Sequence, residues 1–216
     1  MNIGTRDIMI ERMEVGPLGT NCYVVTNMKD KLTMVVDPGG SYPMIKNYLD
    51  KTVAELGSKV VLLVNTHGHW DHVYHNADVV RDFPDVKLYI HKADEPMLTK
   101  DSTGMIGQLT PSKADGYLED GMTLMLGSLP IQVSHTPGHS RGGVCLFFGE
   151  KFLICGDTLF KGSIGRTDFA GGSYDEILNS IRTKILPLGD NVYILPGHGP
   201  TSSIGYEKEN NMFLQM

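Results

Sequence analysis

The chain has 216 residues, 41% hydrophobic and 20% charged, with a net charge of −6, enough to bury a sizeable core as one domain or two fused halves. The acidic balance disfavours extensive contact with nucleic-acid phosphates, and the longest apolar run, Val60-Val61-Leu62-Leu63-Val64, is far too short to span a bilayer. No basic segment followed by an apolar stretch opens the chain, and three Cys without a C-x-x-C pair do not make a disulfide framework. A cytoplasmic protein is expected, with no nucleic-acid or membrane partner and with Cys22 and Cys155 buried and reduced.

Residues 8–15, 22–26 and 32–36 read as short strands, being β-branched or alternating and separated by turn residues. Ser41 then heads a helix through Leu56, with Met44, Ile45, Tyr48, Leu49, Val53 and Leu56 at helical spacing. Residues 59–65 fit a strand buried on both faces. Thr66-His67-Gly68-His69-Trp70-Asp71-His72 follows directly, with a helix expected over 71–83 and a strand over 86–90. Residues 97–121 are polar, contain Gly and Pro111 and show little periodicity, which suits either a lid or a plain surface loop. A second strand-rich half covers 122–126, 131–135, 144–148 and 152–154. Helices are expected over 175–185 and 202–213, around a last strand at 192–195. Each half runs strands first and helix after, so two packed sheets with helices outside are expected.

Thr136-Pro137-Gly138-His139, Gly156-Asp157-Thr158 and Pro196-Gly197-His198-Gly199-Pro200 also fall just beyond expected strands, where a rigid scaffold holds loops open to ligand. Together with the first motif they supply five His and two Asp, enough for two divalent ions with a position left for water. His67 and His69, two apart, can face one side of an extended loop, and His139 can complete their site. Asp71 and His72 open the following turn and can meet His198 at a second point. Asp157 is the candidate bridge, with Gly156 allowing close backbone approach. Two M²⁺ ions, two aspartates and one hydroxide leave a single positive charge to polarise a carbonyl, and water on such a metal has a pKa near ~7. Zinc is the first choice, with iron or manganese also compatible with His/Asp donors. His75 and His91 lack partner motifs and are assigned to the surface or the surroundings of the site; His135 is expected to support the site or the core. Trp70 is expected to pack rather than stack on substrate.

The run His67-Gly-His69-Trp-Asp71-His72, followed by His139, Asp157 and His198, resembles the metallo-β-lactamase superfamily over nearly the whole chain. The resemblance implies an α/β fold, a four-layered αββα sandwich of two β-sheets with helices on the outer faces, as one domain over residues 1–216. It implies the same grouping: His67, His69 and His139 for one metal, Asp71, His72 and His198 for the other, and Asp157 between them. Asp71 and Asp157 are the carboxylates expected to serve catalysis. Within the superfamily, Gly156-Asp157-Thr158-Leu159-Phe160 and Gly165-Arg166-Thr167-Asp168-Phe169 resemble the glyoxalase II (hydroxyacylglutathione hydrolase) branch, which hydrolyses thioesters to a 2-hydroxy acid and a thiol. A small-molecule thioester is therefore the expected partner, attacked by a hydroxide held between the metals.

Departures from that branch bear on the substrate. Longer members carry a C-terminal helical domain that grips glutathione, which this chain is expected to lack. Gly199-Pro200 stands where they have Glu-Tyr, and the ending through Thr201 and Ile204-Gly205 resembles short single-domain members. Arg166 can hold a substrate carboxylate or pair with Asp168. Persulfide dioxygenases look similar over the same motifs; there one iron would sit on His67, His139 and Asp157. Lactam hydrolysis fits less well, since many lactamases of the superfamily have Cys where this chain has Asp157. A nuclease would bring a basic surface, and a non-catalytic binding protein would have lost ligand positions, whereas all seven are filled.

Overall fold

The computed structural model describes residues 2–105 and 109–215. Its first half contains β1 (Asn2–Gly4), β2 (Ile8–Val15), β3 (Thr20–Asn27), β4 (Leu32–Val36), α1 (Tyr42–Leu56), β5 (Lys59–Val64), α2 (Trp70–Val73), α3 (Asn76–Asp82), β6 (Lys87–His91) and β7 (Gly116–Leu118). The second half contains β8 (Thr123–Leu126), β9 (Leu129–His135), β10 (Val144–Phe148), β11 (Phe152–Gly156), the small hairpin β12 (Leu159–Phe160) and β13 (Ser163–Ile164), α4 (Tyr174–Ser180), β14 (Tyr193–Pro196), β15 (Ser202–Ser203) and α5 (Ile204–Asn210).

The strands β1 to β7 form one sheet in sequence order, antiparallel through β4 and parallel from β4 to β7. The order β15-β14-β11-β10-β9-β8 makes the second sheet, whose one parallel pair is β11 with β14. Side-chain alternation decides the layers. On β3, Tyr23 and Val25 enter an inter-sheet core with Ile10, Val64, Leu146 and Ile154, while Cys22 and Val24 face α1 beside Ile45 and Leu49. On β11, Ile154 faces the inter-sheet core and Leu153 and Cys155 face α4 beside Ile177 and Ile181. Three apolar layers between four layers of structure are the expected αββα sandwich. Cys22, Cys145 and Cys155 are free and buried, and no helix among the described residues is long and apolar enough to cross a membrane.

Several expected bounds change for physical reasons. The helix expected over 71–83 is broken at His75, whose N–H bonds the carbonyl of Pro38 at 3.0 Å instead of continuing the helical ladder. Asn76 then turns inward to Asn65, with its amide 2.7 Å from the Asn65 oxygen. Ser41 does not cap α1: it adopts a left-handed conformation (φ 50°) and its hydroxyl accepts from the N–H of Gly16 at 3.2 Å. The helix expected over 175–185 is α4 continued by a wider π turn over Ile181–Ile185. Within 97–121, Leu98 and Leu109 are buried and β7 joins the first sheet edge. Residues 106–108 of that segment, read as either a lid or a plain surface loop, lie outside the described residues.

Candidate metal centre

The ligand loops meet at one edge of the sandwich because the strands ahead of them end there. His67, His69 and His139 bring ring nitrogens together, and Asp71, His72 and His198 a carboxylate oxygen and two ring nitrogens; within each group the ligand atoms lie within 4.8 Å of one another. His69 Nδ1 lies 2.8 Å from His139 Nε2. His198 Nε2 is 3.2 Å from Asp71 Oδ2 and 3.3 Å from His72 Nε2. Asp157 lies between the groups, its oxygens 3.5 Å from Nε2 of His139 on one side and 3.5 Å from Nε2 of His72 and of His198 on the other. All seven residues singled out from the sequence are therefore brought together.

Two buried polar atoms in this cluster, His67 Nε2 and Asp157 Oδ1, have no hydrogen-bond partner. Leaving such groups unpaired costs about 1–3 kcal/mol each, and both are electron-pair donors. The donor set therefore fits divalent cations. The far nitrogens of the imidazoles are taken up by acceptors: His139 Nδ1 donates to the Arg166 carbonyl at 2.8 Å, His72 Nδ1 to Asp37 at 2.9 Å and His198 Nδ1 to the Leu18 carbonyl at 3.1 Å. Each of these bonds keeps a proton on the outer nitrogen and leaves Nε2 as the nitrogen that a metal would take.

Electrostatics separates the two groups. Burial holds His67 well below the ordinary imidazole range, reinforced by the neighbouring imidazoles. Burial likewise lowers His69 to about 4, with His139 and His72 adding to the effect. Burial also opposes charge on His72, yet Asp71, Asp157 and Asp37 outweigh it and push the ring up to about 10. His198 is raised in the same way, against its burial, by its hydrogen bond to Asp71 and by Asp157. Burial opposes charge on Asp71 too, but the two imidazoles and Thr20 bring it well below the usual carboxylate range. His67 and His69 thus offer neutral nitrogens, and His72 and His198 hold protons that a cation would displace.

Residues not singled out from the sequence hold this geometry. The Asp37 carboxylate is almost wholly buried and accepts from Thr66 N–H at 2.8 Å, Thr66 Oγ1 at 2.6 Å and His72 Nδ1 at 2.9 Å. Thr66 Oγ1 in turn lies 3.1 Å from His67 Nδ1, so one carboxylate orients a histidine of each group. Asp94, also buried, accepts from Gly68 N–H at 3.0 Å and Gly142 N–H at 2.7 Å, tying the His67–His69 loop to the turn after His139. A Cβ at Gly142 would sit 2.7 Å from the Asp94 carboxyl carbon, so the approach requires glycine. From the first sheet, Asn21 N–H donates to the Gly197 carbonyl at 2.7 Å and Tyr23 Oη to the Pro196 carbonyl at 2.7 Å, clamping the His198 loop. Gly197 is needed there because a side chain would overlap Asp157 Oδ1.

A cavity of about 410 Å³ opens on Asp71, His139, Asp157 and His198, within the size range of small-molecule sites, roughly 300–1,000 Å³. Trp70 is buried and packs edge-on to Tyr74, as expected, but it also lines this cavity. Arg166 lines it as well; its guanidinium pairs bidentately with Asp168, both contacts 2.7 Å, and lies 3.9 Å from the centre of the Phe169 ring. His75 lies apart, bonded to Asp78 at 2.6 Å and stacked on Tyr42. His91 and His135 stack on each other at 4.1 Å, one from each sheet, beside the site loops.

This constellation on this sandwich defines a metallo-hydrolase-like centre. The profile described as Metallo-beta-lactamase superfamily matches residues 15–198, and the chain belongs to that superfamily. A protein of Mycobacterium tuberculosis is 37% identical over 225 residues, spanning 96% of this chain and 98% of its own length. Hydroxyacylglutathione hydrolase GloC of Haemophilus influenzae is 34% identical, over 95% and 97%. Among solved structures, BLEG-1 B3 metallo-beta-lactamase aligns with a TM-score of 0.89 at 34% identity, covering 96% of this chain and all (100%) of its own. TTHA1623 in a di-iron-bound form aligns at 0.81 and 30%, covering 94% and 100%.

Proposed function

We propose that the protein is a metal-dependent hydrolase that cleaves a thioester of a hydroxyacyl or related small acid, using two divalent ions. The observation that carries this reading is Asp157, within 3.5 Å of histidines of both groups and open to the cavity. His67, His69 and His139 would hold one ion, Asp71, His72 and His198 the other, and Asp157 both. Bound there, the ions would make hydroxide available at neutral pH and polarise the substrate carbonyl. The chain's own contribution is to fix the ligands. Asp37 and the Arg166 and Leu18 carbonyls hold the tautomers, and Asp94 holds two loops at one distance from each other. The wall of Trp70, Phe160 and Phe169 limits water around the reacting bond.

Similarity to GloC supports a thioester as substrate, and the name of TTHA1623 supports iron beside zinc as the ion to test. The mononuclear dioxygenase reading leaves Asp71, His72 and His198 without a task. Lactam hydrolysis is a second reading, favoured by the similarity to BLEG-1. The test is metal-defined protein assayed against thioesters of several thiols, S-lactoylglutathione among them, beside a chromogenic cephalosporin and oxygen uptake with a persulfide. Thioester cleavage without lactam cleavage or oxygen consumption is the expected result. Cleavage of the cephalosporin alone, or oxygen consumption at one iron per chain, would overturn it.

A further inference from the structure

The wall of the cavity is apolar in a way that the metal centre does not require. Phe160 lies edge-on to His198 with ring centres 6.3 Å apart, Phe169 edge-on to His69 at 5.3 Å, and the buried Ile164 lines the same cavity. At the mouth, Leu18 and Met105 are large apolar side chains left 51% and 54% exposed. Exposed apolar side chains gathered around one concavity mark a surface that a ligand covers. The cavity offers little to a charged ligand. Among the described lining residues Arg166 is the one Lys or Arg, and the fork with which it would grip a carboxylate is already filled by Asp168, 2.7 Å on both arms. Thr103 and Ser163 add two hydroxyls to the lining, and the rest of the wall outside the metal centre is mostly apolar.

We propose that this cavity is an acyl pocket and that the substrate's acyl group is an uncharged hydrocarbon chain of medium length, lying against Leu18, Met105, Phe160, Ile164 and Phe169. The inference rests on the thioester-cleaving reading and, within it, favours a hydrocarbon acyl group over a hydroxyacyl one: selectivity comes from the acyl side of the bond, not from a charged thiol carrier. Hydrolysis of such a substrate breaks the C–S bond and forms a C–O bond to water, giving a carboxylate, a free thiol and one proton, with no oxidant or reductant consumed.

Acyl thioesters of one small neutral thiol, from acetyl to decanoyl, with lactoyl and succinyl members, test it on the metal-loaded wild-type protein. Each buried methylene is expected to raise kcat/KM about fourfold until the pocket is full, with succinyl the poorest member. A binding readout runs beside it: Trp70 is the sole tryptophan and lines the cavity. Its emission, titrated with alkyl hydroxamates of the same lengths, should report the same rise in affinity. Leu18→Ser at the exposed mouth and Phe160→Ser at the wall should both flatten the dependence on length. Equal kcat/KM across the series, or a preference for succinyl or lactoyl, would overturn the acyl pocket and leave the thioesterase reading standing. If no thioester is cleaved, the thioesterase reading and the substrate claim fall together. A length-independent Trp70 titration would overturn the pocket on its own.

Discussion

Replacing Asp37 by Asn keeps the size of the side chain and removes one acceptor from a site that uses both. The wild-type carboxylate accepts three hydrogen bonds, from Thr66 N–H, Thr66 Oγ1 and His72 Nδ1, in a side chain only 1% exposed. In Asp37→Asn the amide oxygen can still accept from Thr66 N–H, but the NH₂ group then faces His72 Nδ1. His72 can answer only by accepting at Nδ1, which moves its proton to Nε2, the nitrogen facing Asp71, Asp157 and His198. A protonated Nε2 cannot bind a metal. Loss of such a supporting partner typically costs about 10–100-fold in metal affinity, or about 1.4–2.7 kcal/mol. The ion on Asp71, His72 and His198 should weaken by that factor and the ion on His67, His69 and His139 by less, since His67 is reached only through Thr66. Competition with a chromophoric chelator resolves the two affinities. If the Asp37→Asn protein binds both ions as tightly as wild type, the role assigned to this carboxylate is refuted.

Asp94→Ala should destabilise the protein by about 3–6 kcal/mol, because two buried N–H groups lose a charged acceptor worth about 1.5–3 kcal/mol each. The urea midpoint measures it, and a change below about 0.5 kcal/mol would contradict the link drawn between the two loops. In the metal-free protein, His72 is raised from 6.5 to about 10, so its stabilising charge is fully present below the unfolded value and lost as pH climbs through the folded one. Denaturation midpoints of chelator-treated protein should therefore fall between about pH 7 and 10, and a flat profile there would sink that assignment.

The ligands were legible in the sequence because each motif follows a strand and carries its donors within a few residues, as in His67-Gly68-His69. The layers were legible because β3 and β11 alternate between two apolar faces. What supports the ligands was not. Asp37 stands in Asp37-Pro38-Gly39-Gly40, which reads as a turn, and its task depends on Thr66 and His72, brought near only by the parallel pairing of β4 with β5. Asp94 likewise meets Gly142 from 48 positions away, and Tyr23 meets Pro196 from 173. The break in the helix expected over 71–83 comes from the Pro38 carbonyl, a tertiary contact that local periodicity does not carry. Arg166 could be read two ways from sequence, and the ion pair with Asp168 shows which partner its guanidinium has in the folded chain.

The most direct measurement is a metal titration of chelator-stripped protein, followed by thioester hydrolysis at each step under air with an oxygen electrode. Two cooperating groups joined by Asp157 should give full hydrolysis only as the second equivalent per chain is bound, with no oxygen consumed and with activity lost in Asp157→Ala. Full turnover at one equivalent, unchanged by Asp71→Ala or His198→Ala, would contradict the two-ion hydrolase.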